Sequence, residues 1–170
     1  MVSLQKTRLD LAVNALIIVV CYARAASDDG YCQEAVQTAV QVPRCPQNSV
    51  EAANAAANKN CEAKAQNQKC TNSSNFVYHC VINVFENATV EVCAPSKFIH
   101  GFCTEFNIQG GRIQPHYFRN CSGLKPPCPA RYLSTDAYKY KGCYDLIRAS
   151  NKTDRRKSTG KQTDVNEDKT

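Results

Sequence analysis

Ten cysteines spread between residues 32 and 143 constrain this chain more than any other feature: Cys32, Cys45, Cys61, Cys70, Cys80, Cys93, Cys103, Cys121, Cys128 and Cys143. An eleventh, Cys21, sits apart from them. Lys6 and Arg8 precede an apolar run from Leu11 to Val20, and Ala23-Arg24-Ala25 follows it. Charged start, apolar stretch and small-x-small site form the pattern of a secretory signal peptide, residues 1–25, cleaved after Ala25. The run is shorter than the roughly 20 residues a bilayer span needs, and Asn14 interrupts it. Cys21 leaves with the signal, so the remaining count is even. An even count in a short exported chain reads as a disulfide framework, although ten cysteines allow about 945 pairings.

Four glycan acceptor motifs agree with export: Asn72-Ser-Ser, Asn87-Ala-Thr, Asn120-Cys-Ser and Asn151-Lys-Thr. The cysteine inside the third makes Asn120 a poor acceptor. Zinc sites show close pairs such as C-x2-C, whereas the closest spacings here run from Cys121 to Cys128 and from Cys61 to Cys70. Neither His79 beside Cys80 nor His100 before Cys103 forms a ligand motif. The cysteines are therefore read as staples, with no metal and no cofactor.

The net charge of +6 suggests a polyanion partner until it is partitioned. Residues 1–25 carry +2, and the tail from Arg148 onward carries seven basic against four acidic residues. Residues 26–147 hold eleven basic and ten acidic residues, so no concentrated basic patch offers itself to nucleic acid. The tail, residues 148–170, has almost no large apolar side chain and is expected to be disordered.

The ordered part, residues 27–147, reads as one α+β domain. Cys32, Ala35, Val36, Ala39 and Val40 recur at helical spacing, with Pro43 as the stop. Asn48 and Glu51 form a capping-box pattern before the alanine-rich run from Ser49 to Gln68. Two helices joined by a short linker should pack antiparallel, which brings Cys32 near residue 60 and predicts a Cys32–Cys61 bridge. An antiparallel β-meander follows. Tyr78, Cys80, Ile82 and Val84 alternate against Val90, Val92 and Ala94, with Glu86, Asn87 and Ala88 as the loop. That register puts Cys80 and Cys93 on opposite faces, so each should bond to a different neighbour. Gly110-Gly111 marks a second, two-residue turn that sets Ile108 against Ile113 and Glu105 against His116.

Glu105 with His116 is the one constellation resembling acid–base chemistry, and paired His and Lys suggest a ribonuclease-like alternative. Cross-strand charge pairs are ordinary sheet decoration, and no nucleophile elbow or H-E-x-x-H accompanies them. Tyr132, Tyr138, Tyr140 and Tyr144 read either as packing over the bridges or as a binding face.

The motifs Cys45-Pro46, Asn60-Cys61, Tyr78-His79-Cys80, Val92-Cys93-Ala94-Pro95, Gly101-Phe-Cys-Thr-Glu-Phe106 and Cys128-Pro129, continuing through Tyr132, Ser134-Thr135, Ala137-Tyr-Lys-Tyr140 and Cys143-Tyr144, resemble cysteine-rich ectodomain modules of uncharacterised bivalve mollusc secreted or receptor-like proteins. The resemblance covers most of residues 31–147 and implies an extracellular place but no activity. Such modules precede membrane anchors or further domains, whereas this chain ends in a polar tail. The reading is a secreted, extracellular glycoprotein that binds a protein or glycan without catalysis. The alternative is a small secreted hydrolase using His116 with Glu105, or His79, as base.

Overall fold

The computed structural model describes residues 31–145 and 147. The expected signal peptide, the polar tail and Asn151 lie outside the described residues. In chain order the elements are α1 (Gln33–Thr38), β1 (Val40–Val42), α2 (Ser49–Lys59), α3 (Cys61–Ala65), a 3-10 turn (Ser73–Asn75), β2 (Phe76–Asn83) and β3 (Thr89–Pro95). They continue with β4 (Phe98–Ile99), β5 (Phe102–Asn107), β6 (Arg112–Asn120), β7 (Tyr132–Leu133) and a second 3-10 helix (Ser134–Lys139). A small disulfide-rich α+β fold is what the sequence leads one to expect; the preponderance of strand over helix is not.

The helical hairpin is not what forms. Helix α1 stops at Thr38, whose hydroxyl accepts the Cys93 N–H at 2.9 Å and lies 3.2 Å from the Cys93 carbonyl oxygen. Beyond it the β-branched Val40 and Val42 extend and pair with Glu91 and Thr89 at the edge of β3. The second helix begins as expected, with Glu51 N–H donating to Asn48 Oδ1 at 2.9 Å and the Glu51 carboxylate accepting from Gln47 N–H at 3.1 Å. It breaks at Asn60, which adopts a left-handed φ of 50° and then caps α3 through its side chain. Asparagine is among the few residues that tolerate this conformation.

Five strands form one sheet in the order β1-β3-β2-β5-β6, and β4 leaves it to pair with β7. The expected meander is thus two antiparallel hairpins joined by a parallel contact, Ile82 to Glu105 and Asn83 to Phe106. β3 and β6 touch although two strands separate them in the order, so the sheet curls.

Both hairpin registers depart from expectation. In β2–β3, Tyr78 opposes Cys93 and Cys80 opposes Glu91, leaving a loop of five residues, 84 to 88. Asn83 Oδ1 shapes that loop by accepting N–H groups of Asn87 and Ala88. Cys80 and Cys93 consequently share a face instead of pointing apart. Apolar alternation could not fix the parity, because His79 and Val81 are as buried as Cys80 and Ile82. In β5–β6, Asn107 Oδ1 caps Gly110 N–H at 2.8 Å and the turn spans residues 108 to 111. Phe106 therefore opposes Ile113, and Ile108 projects outward, half exposed. A shift of two keeps the paired side chains of Cys103–Asn107 and Arg112–His116 on their expected faces.

All ten cysteines bond: Cys32–Cys70, Cys45–Cys80, Cys61–Cys93, Cys103–Cys143 and Cys121–Cys128. The Cys32–Cys61 bridge is overturned, for the physical reason that the short α1 and the inserted β1 abolish the antiparallel helix pair on which it depended. The two hairpin cysteines do not bond to each other, as expected. Each reaches into the segment ahead of the sheet, Cys80 to the loop after β1 and Cys93 to the start of α3. Nine of the ten cysteines are buried, alongside Phe76, Ile82, Ile99, Phe106 and Ile113.

The Cys61–Cys93 link spans 32 residues, which the chain-entropy account equates with about 4 kcal/mol of stability. Replacing both by serine should lower the unfolding free energy by that order, measured by denaturant titration. A peptide map of unreduced protein should return the five pairs above, and recovery of Cys32 linked to Cys61 would refute the architecture.

Candidate functional site

Histidines are where chemistry would start, and the fold places them apart. β2 presents side chains alternately, so His79 and Val81 lie on one face while Tyr78, Cys80 and Ile82 lie on the other. Ile82 pairs with Glu105 and Cys103 with His116, which puts Glu105 and His116 on the face opposite His79. His100 is exposed on the turn before β5. The described residues do not converge His79, Glu105 and His116 on one site.

His79 is 1% exposed, with Nδ1 3.0 Å from the Val77 carbonyl oxygen and Nε2 2.8 Å from Ser134 Oγ. Only a protonated Nδ1 can donate to that carbonyl, so Nε2 accepts the Ser134 hydroxyl proton. The arrangement copies a serine–histidine dyad, yet Ser134 is also 1% exposed and its oxygen accepts Lys97 N–H at 3.1 Å. No substrate can reach it. The pair instead fixes the second 3-10 helix to β2 and to the chain entering β4. Burial holds the His79 imidazole at about 4, well below its ordinary 6.5, so it is neutral near pH 7.

Glu105 and His116 do meet, though diagonally, because Gln114 rather than His116 stands opposite Glu105. His116 Nε2 lies 3.4 Å from Glu105 Oε2 and 3.2 Å from Glu86 Oε1. Gln114 Nε2 donates to Glu105 Oε1 at 2.6 Å, and Arg119 Nη2 donates to Glu86 Oε2 at 2.6 Å. Hydrogen bonding from Arg119 holds the Glu86 carboxyl below the usual carboxylate range. Glu86 escaped sequence reasoning because only the parallel β2–β5 contact brings the 84–88 loop beside β6. His116 is 5% exposed, its Nε2 faces two carboxylates, and its Nδ1 is buried without a partner. It clamps a loop to a strand and has no open nitrogen for a substrate.

The tyrosines pack rather than display. Tyr132 and Tyr144 are buried, the former with its hydroxyl 2.8 Å from Thr104 Oγ1, the latter donating to the Cys80 carbonyl at 2.9 Å. Tyr140 meets Tyr132 edge-on at 4.6 Å between ring centres. Burial raises the Tyr132 phenol to about 12. The candidate binding face of Tyr132, Tyr138, Tyr140 and Tyr144 is accordingly replaced by a packing cluster, with Tyr138 half-buried at its margin.

A groove of about 660 Å³ lies between α2, α3 and the start of β2. Ala56, Ala57 and Ala65 line one side; Ser74, Phe76 and Tyr78 line the other. No residue of α2 is buried. Alanine side chains are too short to close the gap that the Cys61–Cys93 bridge sets between helix and sheet. Tyr78 donates to Glu91 at 2.7 Å, and burial pushes its phenol well above 10. Glu62 is the other titratable group lining the groove, so it offers no paired acid and base. A second, smaller cleft of about 420 Å³ is lined by Phe118, Asn120, Leu124 and Asp145. Asn72, Asn87 and Asn120 are all exposed.

No protein family, curated protein or solved structure compared with the chain matches it. No helix among the described residues is long and apolar enough to cross a membrane.

The His79 environment gives a pH test. Its folded value of about 4 lies below 6.5, so the unfolded chain binds the proton first as pH falls. The contribution is complete above pH 6.5 and is lost progressively down to pH 4, amounting to about 3 kcal/mol. The stability difference between the natural chain and His79→Asn should shrink over that interval. Parallel curves for the two proteins would contradict a buried neutral imidazole.

Proposed function

We propose that this chain is an extracellular, disulfide-stapled module that binds a protein or glycan through the α2–α3–β2 groove and catalyses nothing. The observation that carries this reading is where chemistry and access lie. His79, Ser134, Glu105 and His116 are all buried, and His79 and His116 lie on opposite faces, whereas the open α2–α3–β2 groove is lined mainly by alanine, serine and asparagine, with Phe76, Tyr78 and a lone carboxylate, Glu62. A reacting centre needs nucleophile, base and oxyanion donors within a few ångströms of an open space. Binding needs only shape and a few polar groups.

Five disulfides support an oxidising place of work. The likeness of the cysteine motifs to bivalve ectodomain modules belongs to the same proposal. The hydrolase reading, through His116 with Glu105 or through His79, gains no observation in its favour.

Ala57 is exposed on α2 and lines the groove, so Ala57→Arg fills it without disturbing a buried side chain. With the oxidised, glycosylated domain immobilised and a partner captured saturably from tissue of the source organism, that variant should bind at least about 10-fold more weakly at unchanged Tm. Turnover of an ester or phosphodiester that disappears in His116→Ala would overturn the reading.

A further inference from the structure

Phe118 is 92% exposed, the most exposed large apolar side chain among the described residues. A break in strand pairing puts it there. Cys103 opposes His116 while its neighbour Phe102 opposes Asn120, so Tyr117, Phe118 and Arg119 have no partners on β5 and bulge outward. Bulges re-aim side chains, and one that drives an aromatic ring into water calls for something to cover the ring. The edge of the His116 ring meets Phe118 at 6.1 Å between centres and 72° between planes, which steadies the ring from behind.

Two residues further on, Asn120 lines the same cleft as Phe118. Its Oδ1 accepts both the N–H of Ser122 at 2.9 Å and the Ser122 hydroxyl at 2.5 Å. Asn120 is exposed, and its Nδ2 makes no hydrogen bond to any described residue. Asn120-Cys121-Ser122 is an acceptor motif, a poor one by its central cysteine, which here is bonded to Cys128, and Nδ2 is the atom that takes the sugar. The cleft floor is Leu124, which packs so closely on Gly142 that a Cβ there would lie 2.9 Å from it. Arg119 and Lys125 stand at the rim, Arg119 held by Glu86.

We propose that Asn120 carries an N-linked glycan whose first pyranose ring lies on the exposed face of Phe118 in this cleft. Transfer joins C1 of the sugar to Asn120 Nδ2 and breaks its C1–O bond to a lipid-linked diphosphate donor. The diphosphate departs as the leaving group and the amide gives up one proton. A pyranose suits the place because one face presents C–H groups to the ring while its hydroxyls point sideways to Arg119, Lys125 and Asp145. The cleft lies within the roughly 300–1,000 Å³ range of small-ligand sites. The aromatic bulge is then a platform for the chain's own glycan rather than a docking face for a partner. This rests on the extracellular reading, since only exported chains meet the donor.

The full chain, expressed through a eukaryotic secretory pathway, tests it by glycopeptide mapping and by Tm. Asn120 should be occupied together with Asn72 and Asn87. Protons of its first sugar should show an upfield ring-current shift that disappears in Phe118→Leu. Ser122→Ala, which removes the acceptor motif, should lower Tm by about 4 °C in the natural background, the effect of losing one aromatic stacking contact in a domain this size. The same change should leave Tm unaltered in a Phe118→Ala background. A bare Asn120 beside occupied Asn72 and Asn87 overturns this inference alone. Three bare sites in a chain retained inside the cell overturn the extracellular reading beneath it. Equal Tm losses in both backgrounds, or a free saccharide that binds Phe118 in the bare protein, also refute the platform.

Discussion

Two covalent links on one face of the β2–β3 hairpin hold the molecule to its shape. Cys45–Cys80 and Cys61–Cys93 fasten the segment from β1 to α3 onto the sheet. That segment could not hold itself there by burial, for α2 has no buried residue and its alanines offer little apolar area. An isolated helix of eleven residues is marginal in water even when rich in alanine. The bridges remove the alternative conformations of the unfolded chain instead, which is how small exported domains offset a thin core.

Much of this was legible in the sequence, and the failures share one cause. Staples, capping box, two β-hairpins and an α+β class follow from local chemistry: cysteine parity, Asn48 with Glu51, and Gly110-Gly111. The reading went wrong wherever a distant strand decided a local outcome. Val40 fits a helix period, but the open edge of β3 took it, together with Gln41 and Val42. The β2–β3 register slipped because both faces of that hairpin are covered, which erases the polar–apolar contrast that normally fixes parity. Glu86 joined His116 through the parallel β2–β5 contact, which nothing in either segment announces.

The same thin core explains why catalytic look-alikes occur in it. With no tryptophan and few large aliphatic side chains, the interior is filled partly by polar groups, and each of these needs partners once it is dry. His79 with Ser134, and His116 with Glu105 and Glu86, are such mutual satisfactions. Their hydrogen bonds are the ones a dyad would have because the donor and acceptor inventory of imidazole is the same in both settings. Exposure decides between the two, since an enzyme must leave one member open and these pairs close both.

Rigidity and openness divide differently between the α2–α3–β2 groove and the cleft at β6. The α2–α3–β2 groove stays open because the helix that walls it is held at a distance by sulfur and faced with methyl groups, so nothing of its own can fill it. The cleft at β6 is built oppositely, around a ring that the bulge pushes out and that gains by being covered. The proposed partner is accordingly assigned to the groove, and the proposed glycan to the ring. The alanines and serines of that groove, beside Phe76, Tyr78 and Glu62, suit recognition by shape and a few polar groups, for which a wall fixed by covalent bonds needs no rearrangement on binding.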